Sequence, residues 1–316
     1  FFDDFKQQLK FAQQQNGWFS KDNVCYALKQ WSKLLQKNNL ENWLAPYNIP
    51  AANKKTVAII MAGNIPLVGF HDFLSALVSG HQILVKQSSK DRHILPYLAA
   101  YLMHLIPTLK SKIKFTEGKL KGLDAVIATG SDNTARYFEA HFKNIPAIIR
   151  KNRNSVCVLT GNESDCELKG LAEDIFRYYG LGCRSVSKLF VPKDYNFDNF
   201  FKAIYDWHPI LNSAKYANNY DYNKAVYLMS EYQLIENGFL MLKQDVRYAS
   251  PIATLFYEFY ENLETLKSRI KSDVSLIQCV VSKNFTTDEV AFGSTQHPKL
   301  SDYADGLDTV DFLLKI

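Results

Sequence analysis

The sequence predicts an α/β protein, two doubly wound units behind a helical N-terminal region. Three observations carry that prediction. Strand-length apolar runs alternate with helix-length patterns from residue 56 onward, the rhythm starts again near Ser155, and turn residues fall between the runs. A chain of 316 residues supports two cores of ordinary domain size, and 47% hydrophobic with 22% charged residues is a globular composition.

The opening stretch, to about residue 42, is rich in Gln and Lys, and Val24, Leu28, Trp31, Leu34 and Leu35 recur at helical spacing. Asn48-Ile49-Pro50 closes it. Residues 56–61 then read as a strand and 67–79 as a helix, with Gly80 placed just beyond its end. Residues 82–86 form the next expected strand and 94–105 an apolar helix. Strands follow at 112–115 and 123–128. A turn at Thr129-Gly130-Ser131 leads into a helix capped by Ser131 or Asp132 and running to residue 142. Strand, helix, strand in this order gives a parallel sheet. In the second half, strands at 156–159 and 186–191 flank a helix at 166–179, and further helix and strand patterns follow at 197–207, 252–256, 263–270 and 276–281. The expected domains are residues 1–154 and 155–316, and the cleft between them is the expected place for chemistry.

Composition narrows the function. The longest apolar stretch, 57–85, is broken by Asn64, Pro66, His71, Asp72 and Gly80, so no membrane span is expected. No signal-peptide pattern is present at the start, which is Phe1. Five scattered cysteines (Cys25, Cys157, Cys166, Cys183, Cys279) form neither a CxxC pair nor a zinc-spaced cluster, so no metal site is expected and a reducing, cytoplasmic compartment is. A net charge of +5 suits an anionic ligand such as a nucleotide. Nucleic acid is not expected as a partner: the most basic stretch, 110–121, carries a single Phe where a stripe of interleaved aromatics is needed.

Four segments are candidates for the chemistry. Cys183 follows Gly180-Leu181-Gly182, and two glycines let the backbone turn tightly and expose the thiol at a loop tip. Arg184 beside it favours the reactive thiolate. A cysteine packed beneath a loop fits the same residues, and spacing alone does not decide. Asn64, in Gly63-Asn64-Ile65-Pro66 after the first strand, can donate a side-chain N–H to a developing oxyanion, or serve only the turn. Lys86, Ser88 and Ser89 follow the second strand, where nucleotide folds read the adenosine ribose. Basic and hydroxyl residues there suit a 2′-phosphate, although Asp91 is close by. Thr129, Gly130 and Ser131 open a helix whose N-terminus suits a phosphate. The G-x-G-x-x-G fingerprint is absent.

In this order the segments resemble the aldehyde dehydrogenase superfamily, over about residues 56–314. Gly63-Asn64-Ile65-Pro66-Leu67 is similar to the loop that carries that family's oxyanion-hole asparagine, and Lys86 to its adenosine-ribose lysine. Thr129-Gly130-Ser131 resembles its pyrophosphate turn. Gly182-Cys183 with Lys188-Leu189-Phe190-Val191 resembles the nucleophile loop and the strand after it. Phe292-Gly293 and Tyr303-Ala304-Asp305-Gly306-Leu307 resemble the closing segment.

Two departures matter. Ile149-Arg150-Lys151-Asn152-Arg153 replaces a Glu-Leu-Gly-Gly-Lys motif whose glutamate activates the hydrolytic water. Arg247-Tyr248-Ala249-Ser250-Pro251 replaces the Glu-x-Phe-Gly-Pro motif that holds the nicotinamide ribose. Both resemble the acyl-CoA reductase branch related to the bioluminescence fatty acid reductases (LuxC-like). The resemblance implies an aldehyde-dehydrogenase-like fold, NADP(H) bound by the first domain and acyl transfer by the second. It implies catalysis by Cys183 and Asn64 and reduction of an acyl-CoA substrate to an aldehyde. The expected partner is the acyl-CoA substrate, and a homodimer is compatible with the sequence, which does not set the oligomeric state. A CoA-acylating aldehyde dehydrogenase acting on short aldehydes, or a non-catalytic nucleotide-binding protein on this fold, would share most of these features.

Overall fold

The computed structural model describes residues 2–50 and 55–316. The chain divides into two compact units, Phe1–Asn152 with Lys299–Ile316, and Arg153–Pro298.

The first unit opens with the three helices α1 (Phe2–Gln15), α2 (Lys21–Leu34) and α3 (Lys37–Leu44). Ser20 starts α2 by accepting from the Asn23 N–H, and Val24 and Ala27 face inward. An alternation follows, β1 (Thr56–Ile60), α4 (Phe70–Val78), β2 (Gln82–Lys86), α5 (Ile94–Leu105), β3 (Ile113–Phe115), β4 (Ala125–Thr129), α6 (Asp132–His141) and β5 (Ala147–Arg150). The strands lie in the order β3-β2-β1-β4-β5, and every pair is parallel. Central β1 and β4 are near-continuous apolar runs, as a sheet covered on both faces requires. The chain leaves β1 for β2 on one side and takes up β4 on the other. The topological switch therefore falls between β1 and β4, at their carboxyl ends.

The second unit contains β6 (Asn154–Val158), α7 (Asp165–Phe176), β7 (Val186–Pro192), α8 (Asp198–Ile204), α9 (Ala214–Met229), β8 (Leu234–Glu236), β9 (Met241–Gln244), β10 (Thr254–Tyr260), α10 (Leu263–Ser272) and β11 (Ile277–Val281). Its sheet runs β11-β6-β7-β10-β9-β8, parallel except where β8 meets β9. Ser164 and Glu167 form a capping box that starts α7.

The C-terminal segment, expected in the second domain, belongs to the first unit instead. Its last helix, α11 (Thr309–Leu314), packs on α4, and polar contacts hold the rest. His81 donates to the Leu313 carbonyl at 2.9 Å and His71 to the Leu300 carbonyl at 2.8 Å. Trp43 donates to the Tyr303 hydroxyl at 2.7 Å, and Tyr47 to Asp308 at 2.6 Å. Burial holds both histidines below the ordinary imidazole value, so they serve as neutral donors. Sequence periodicity does not reveal which sheet a terminal segment will cover.

Other differences have local causes. The helix expected from residue 67 begins at Phe70, because Leu67 is left-handed (φ 59°) within a turn. The helix expected to residue 179 ends at Phe176, because Tyr178 (φ 55°), Tyr179 (φ 59°) and Gly180 (φ 74°) turn left-handed in succession. The strand expected at 252–256 lies at Thr254–Tyr260. Helix α9 carried no apolar periodicity, since the residues it buries are Tyr216, Tyr220 and Tyr227. No helix among the described residues is long and apolar enough to cross a membrane.

Candidate active site

Asn64, Lys86, Ser88, Ser89, Thr129, Gly130 and Ser131 lie at one edge of the first sheet. Strand β1 is paired with β2 so that Ile60 lies beside Lys86, and with β4 so that Ile60 lies beside Ala128. Asn64 after β1, Lys86 at the end of β2 with Ser88 and Ser89 beyond it, and Thr129 at the end of β4 with Gly130 and Ser131 beyond it therefore lie at three adjacent strand ends. The first two loops touch: a Cβ on Gly63 would come 2.8 Å from the Ser88 side chain, so only glycine fits. Asn16, just beyond the end of α1, donates to the Gly63 carbonyl at 3.0 Å and holds the loop. Asn64 itself is half-buried, with its side-chain oxygen shielded from solvent.

The donors on this edge suit a phosphorylated nucleotide. Lys86 gives one proton to the Gly118 carbonyl at 3.2 Å and keeps two. Ser88 accepts from the Lys90 N–H at 3.2 Å through its hydroxyl oxygen, which leaves its proton to donate. Ser131 caps α6 by accepting from the Thr134 N–H at 3.4 Å, and this exposed helix start carries the positive end of the helix dipole. Asp91, the acidic residue of the segment, is turned inward. Its carboxylate accepts from the Leu67 N–H, and burial pushes it up to about 6. Among the described residues no group of three or more metal-ligating side chains is found.

Cys183 lies in the second unit, in the loop between the left-handed turn at Tyr178–Gly180 and β7. Its side chain is exposed, as are those of Cys25 and Cys166, whereas Cys157 and Cys279 are buried. Burial pushes the Cys157 thiol well up, which keeps it unreactive. The loop is held at several points. Ser155, at the start of β6, donates to the Cys183 carbonyl at 3.0 Å, and the Ser185 N–H donates to the Gly182 carbonyl at 3.0 Å. Arg184 donates through Nε to the Thr295 carbonyl. Just into β7, Ser187 donates at 2.7 Å to the carbonyl of Tyr248, so the segment Arg247-Tyr248-Ala249-Ser250-Pro251 runs alongside the strand that leaves the cysteine loop.

The sequence singled out neither Ser155, Asp174 nor Thr295. Asp174 is fully buried on α7 and accepts from the Gly293 N–H, the Thr295 N–H and the Thr295 hydroxyl. Asp174 stands next to Glu173 on α7, and nothing in the local sequence sets the buried carboxylate apart from its neighbour. A hollow of about 280 Å³ beside the paired Glu258 and Arg269 opens at the carboxyl end of β10, the edge opposite the Cys183 loop.

Two parallel α/β units, a nucleotide-suited strand edge and an exposed cysteine ahead of a central strand define an aldehyde-dehydrogenase fold. Solved structures agree. Aldehyde dehydrogenase 21 from Physcomitrella patens, solved with the reaction product succinate, superposes with a TM-score of 0.70 at 12% identity, over 99% of this chain and 80% of that one. Aldehyde dehydrogenase KauB from Pseudomonas aeruginosa gives a TM-score of 0.58 at 16% identity, over 78% and 62%. Indole-3-acetaldehyde dehydrogenase from P. syringae, in complex with NAD+ and IAA, gives 0.56 at 15%, over 74% and 57%. The chain thus spans little more than half the length of some of these dehydrogenases. No curated protein matches the sequence significantly. Residues 4–204 match the acyl-CoA reductase (LuxC) family, and the chain belongs to it.

Proposed function

We propose that the protein reduces acyl-CoA thioesters to aldehydes with NADPH, in the cytoplasm, through an acyl group carried on Cys183. The observation that carries this reading is the exposed Cys183 thiol on a loop held by Ser155 and Thr295, in a member of the acyl-CoA reductase family. Lys86, Ser88, Ser89, Thr129, Gly130 and Ser131 hold the cofactor, and the inward turn of Asp91 supports a 2′-phosphate over a free hydroxyl. When bound, reduced nicotinamide supplies the hydride.

Cys183 thiolate attacks the thioester carbonyl, and the departing CoA thiolate, with a pKa of about 8.5, needs little acid assistance. The Cys183 backbone N–H donates to the oxyanion, such a donor contributing about 3 kcal/mol in the transition state, and Asn64 is similar to the asparagine that serves as a further oxyanion donor in aldehyde dehydrogenases. Ile149, a side chain that cannot activate water, stands where hydrolytic relatives carry the glutamate base. The acyl-enzyme is then spared for reduction.

Mass spectrometry of protein mixed with acyl-CoA, without NADPH, tests the reading directly. One acyl adduct is expected on Cys183 and none in Cys183→Ala; an adduct on Cys25 or Cys166 instead would overturn the assignment. Once acylated, the native protein should release free acid slowly and yield aldehyde promptly when NADPH is added. Equal rates would show that another residue activates water.

A further inference from the structure

Asp174 is a carboxylate with no contact to solvent, and such a group is costly unless its oxygens are satisfied. It directs its acceptors at one short segment. Oδ2 accepts from the Gly293 N–H at 2.7 Å, while Oδ1 accepts from the Thr295 N–H at 2.9 Å and the Thr295 hydroxyl at 2.8 Å. The segment can approach because Gly170, one turn earlier on α7, has no side chain. A Cβ there would lie 2.9 Å from the Phe292 carbonyl carbon, and Gly293 itself is left-handed at φ 79°. Three hydrogen bonds and one close backbone approach thus fix Phe292–Thr295 on α7.

The held segment bears on the cysteine loop. The Thr295 carbonyl accepts from Arg184 Nε, and on the other flank the Ser155 hydroxyl donates to the Cys183 carbonyl at 3.0 Å. The Cys183 carbonyl is thus held directly by a β6 residue, and the side chain of the next residue, Arg184, is held by the segment that Asp174 fixes. We infer that Asp174 is a positioning residue for Cys183, fixing through Gly293–Thr295 and Arg184 the loop on which the thiol is presented. The inference rests on the reading of Cys183 as the acyl carrier, and its test separates the two.

The test compares Asp174→Asn, Thr295→Val, Thr295→Ser and Arg184→Met with the native protein. Iodoacetamide alkylation is followed at Cys183 by peptide mass, with exposed Cys25 and Cys166 as references in the same molecule, and acylation by acyl-CoA is followed alongside. Asp174→Asn places an amide N–H against the Gly293 or Thr295 donors and frees the segment, and Thr295→Val frees it in part. Both leave the Arg184 charge in place. The native ratio of Cys183 to reference alkylation should change in Asp174→Asn, Thr295→Val and Arg184→Met and be restored in Thr295→Ser. Acylation should slow at least about tenfold in Asp174→Asn with KM for acyl-CoA little changed, as expected for a nucleophile misplaced by a fraction of an ångström. If Asp174→Asn does not fold, Thr295→Val and Arg184→Met decide. Unchanged Cys183 ratios in Asp174→Asn and Thr295→Val, or in Thr295→Val alone where the first is unfolded, would overturn the inference even if Arg184→Met is slow, because charge alone would then explain Arg184. A native protein that shows no acyl adduct on Cys183 would defeat the acyl-carrier reading, while the alkylation ratios would still decide the positioning.

Discussion

At the scale of single residues, burial sets the charge of two carboxyl groups, Asp91 and Asp174. One Asp91 oxygen accepts from Leu67, the other has no hydrogen-bond partner among the described residues, and burial raises the group to about 6. A carboxyl raised above its unfolded value stabilises the fold while protonated and loses that contribution as pH climbs through the folded value. A rise of about two units corresponds to about 3 kcal/mol at most, absent below about pH 4 as a penalty and fully felt above pH 7. Asp91→Asn should therefore flatten part of the loss of stability between pH 4 and pH 7 in urea titrations. Asp174, also raised to about 6 by burial, keeps the remainder. An unchanged pH slope in Asp91→Asn would mean that the carboxyl is not buried in solution. Lys86 gives a second prediction at this scale. Lys86→Ala should weaken NADPH binding by about 1.5–3 kcal/mol and NADH binding by less, since only NADPH offers a phosphate to pair with the ammonium. Equal losses in calorimetric titrations would make Lys86 a ribose ligand and remove this basis for cofactor choice.

At the scale of elements, helix α7 decides how the cysteine is delivered. It starts at a capping box and ends where three left-handed residues turn the chain toward Cys183. Its inner face includes Gly170, and here two effects oppose one another. Alanine is the better helix former by about 1 kcal/mol. Yet its Cβ would sit 2.9 Å from the Phe292 carbonyl carbon and 3.0 Å from the Gly293 nitrogen, both backbone atoms that cannot swing away. Overpacking against backbone costs about 1–3 kcal/mol and wins. Gly170→Ala should lower stability despite its helix propensity, and should move the Gly293–Thr295 segment along with it; a stabilised variant would show that the segment is not packed on α7.

At the scale of the whole molecule, the chain's tail is part of the first unit, packed on α4. Arg150, the last residue of β5, is buried with Asp72 of α4 at 2.7 Å and also donates to the Ala304 carbonyl at 2.7 Å and the Thr309 hydroxyl at 3.0 Å. One guanidinium thus ties β5, α4 and the C-terminal segment together. Removing one partner of a buried pair strands the other charge and costs about 3–5 kcal/mol, while replacing both with apolar residues is far milder. Arg150→Met should be strongly destabilising in urea titrations and Arg150→Met with Asp72→Leu markedly less so. Additive losses would contradict the coupling.

Much of this was legible beforehand. Periodicity and punctuation located β1, β2, β4, β6, β7 and most of the helices between them, because apolar runs and helix caps are local signals. Asn64, Lys86, Ser88, Ser89 and Thr129–Ser131 stood out for the same reason: each ends or follows a strand, and in a parallel sheet every strand end falls on one edge. Tertiary structure alone decided the rest. It assigned the tail to the first unit through contacts between residues more than 200 positions apart, such as His81 with Leu313. It turned Asp91 inward, although the sequence only placed it near the ribose-reading segment. It brought Thr295 to Arg184 and Asp174 to Thr295, across 111 and 121 residues. A hydrogen bond between such distant residues leaves no period or spacing in the chain, so the residues that hold Cys183 in place became visible only once the backbone had been folded around it.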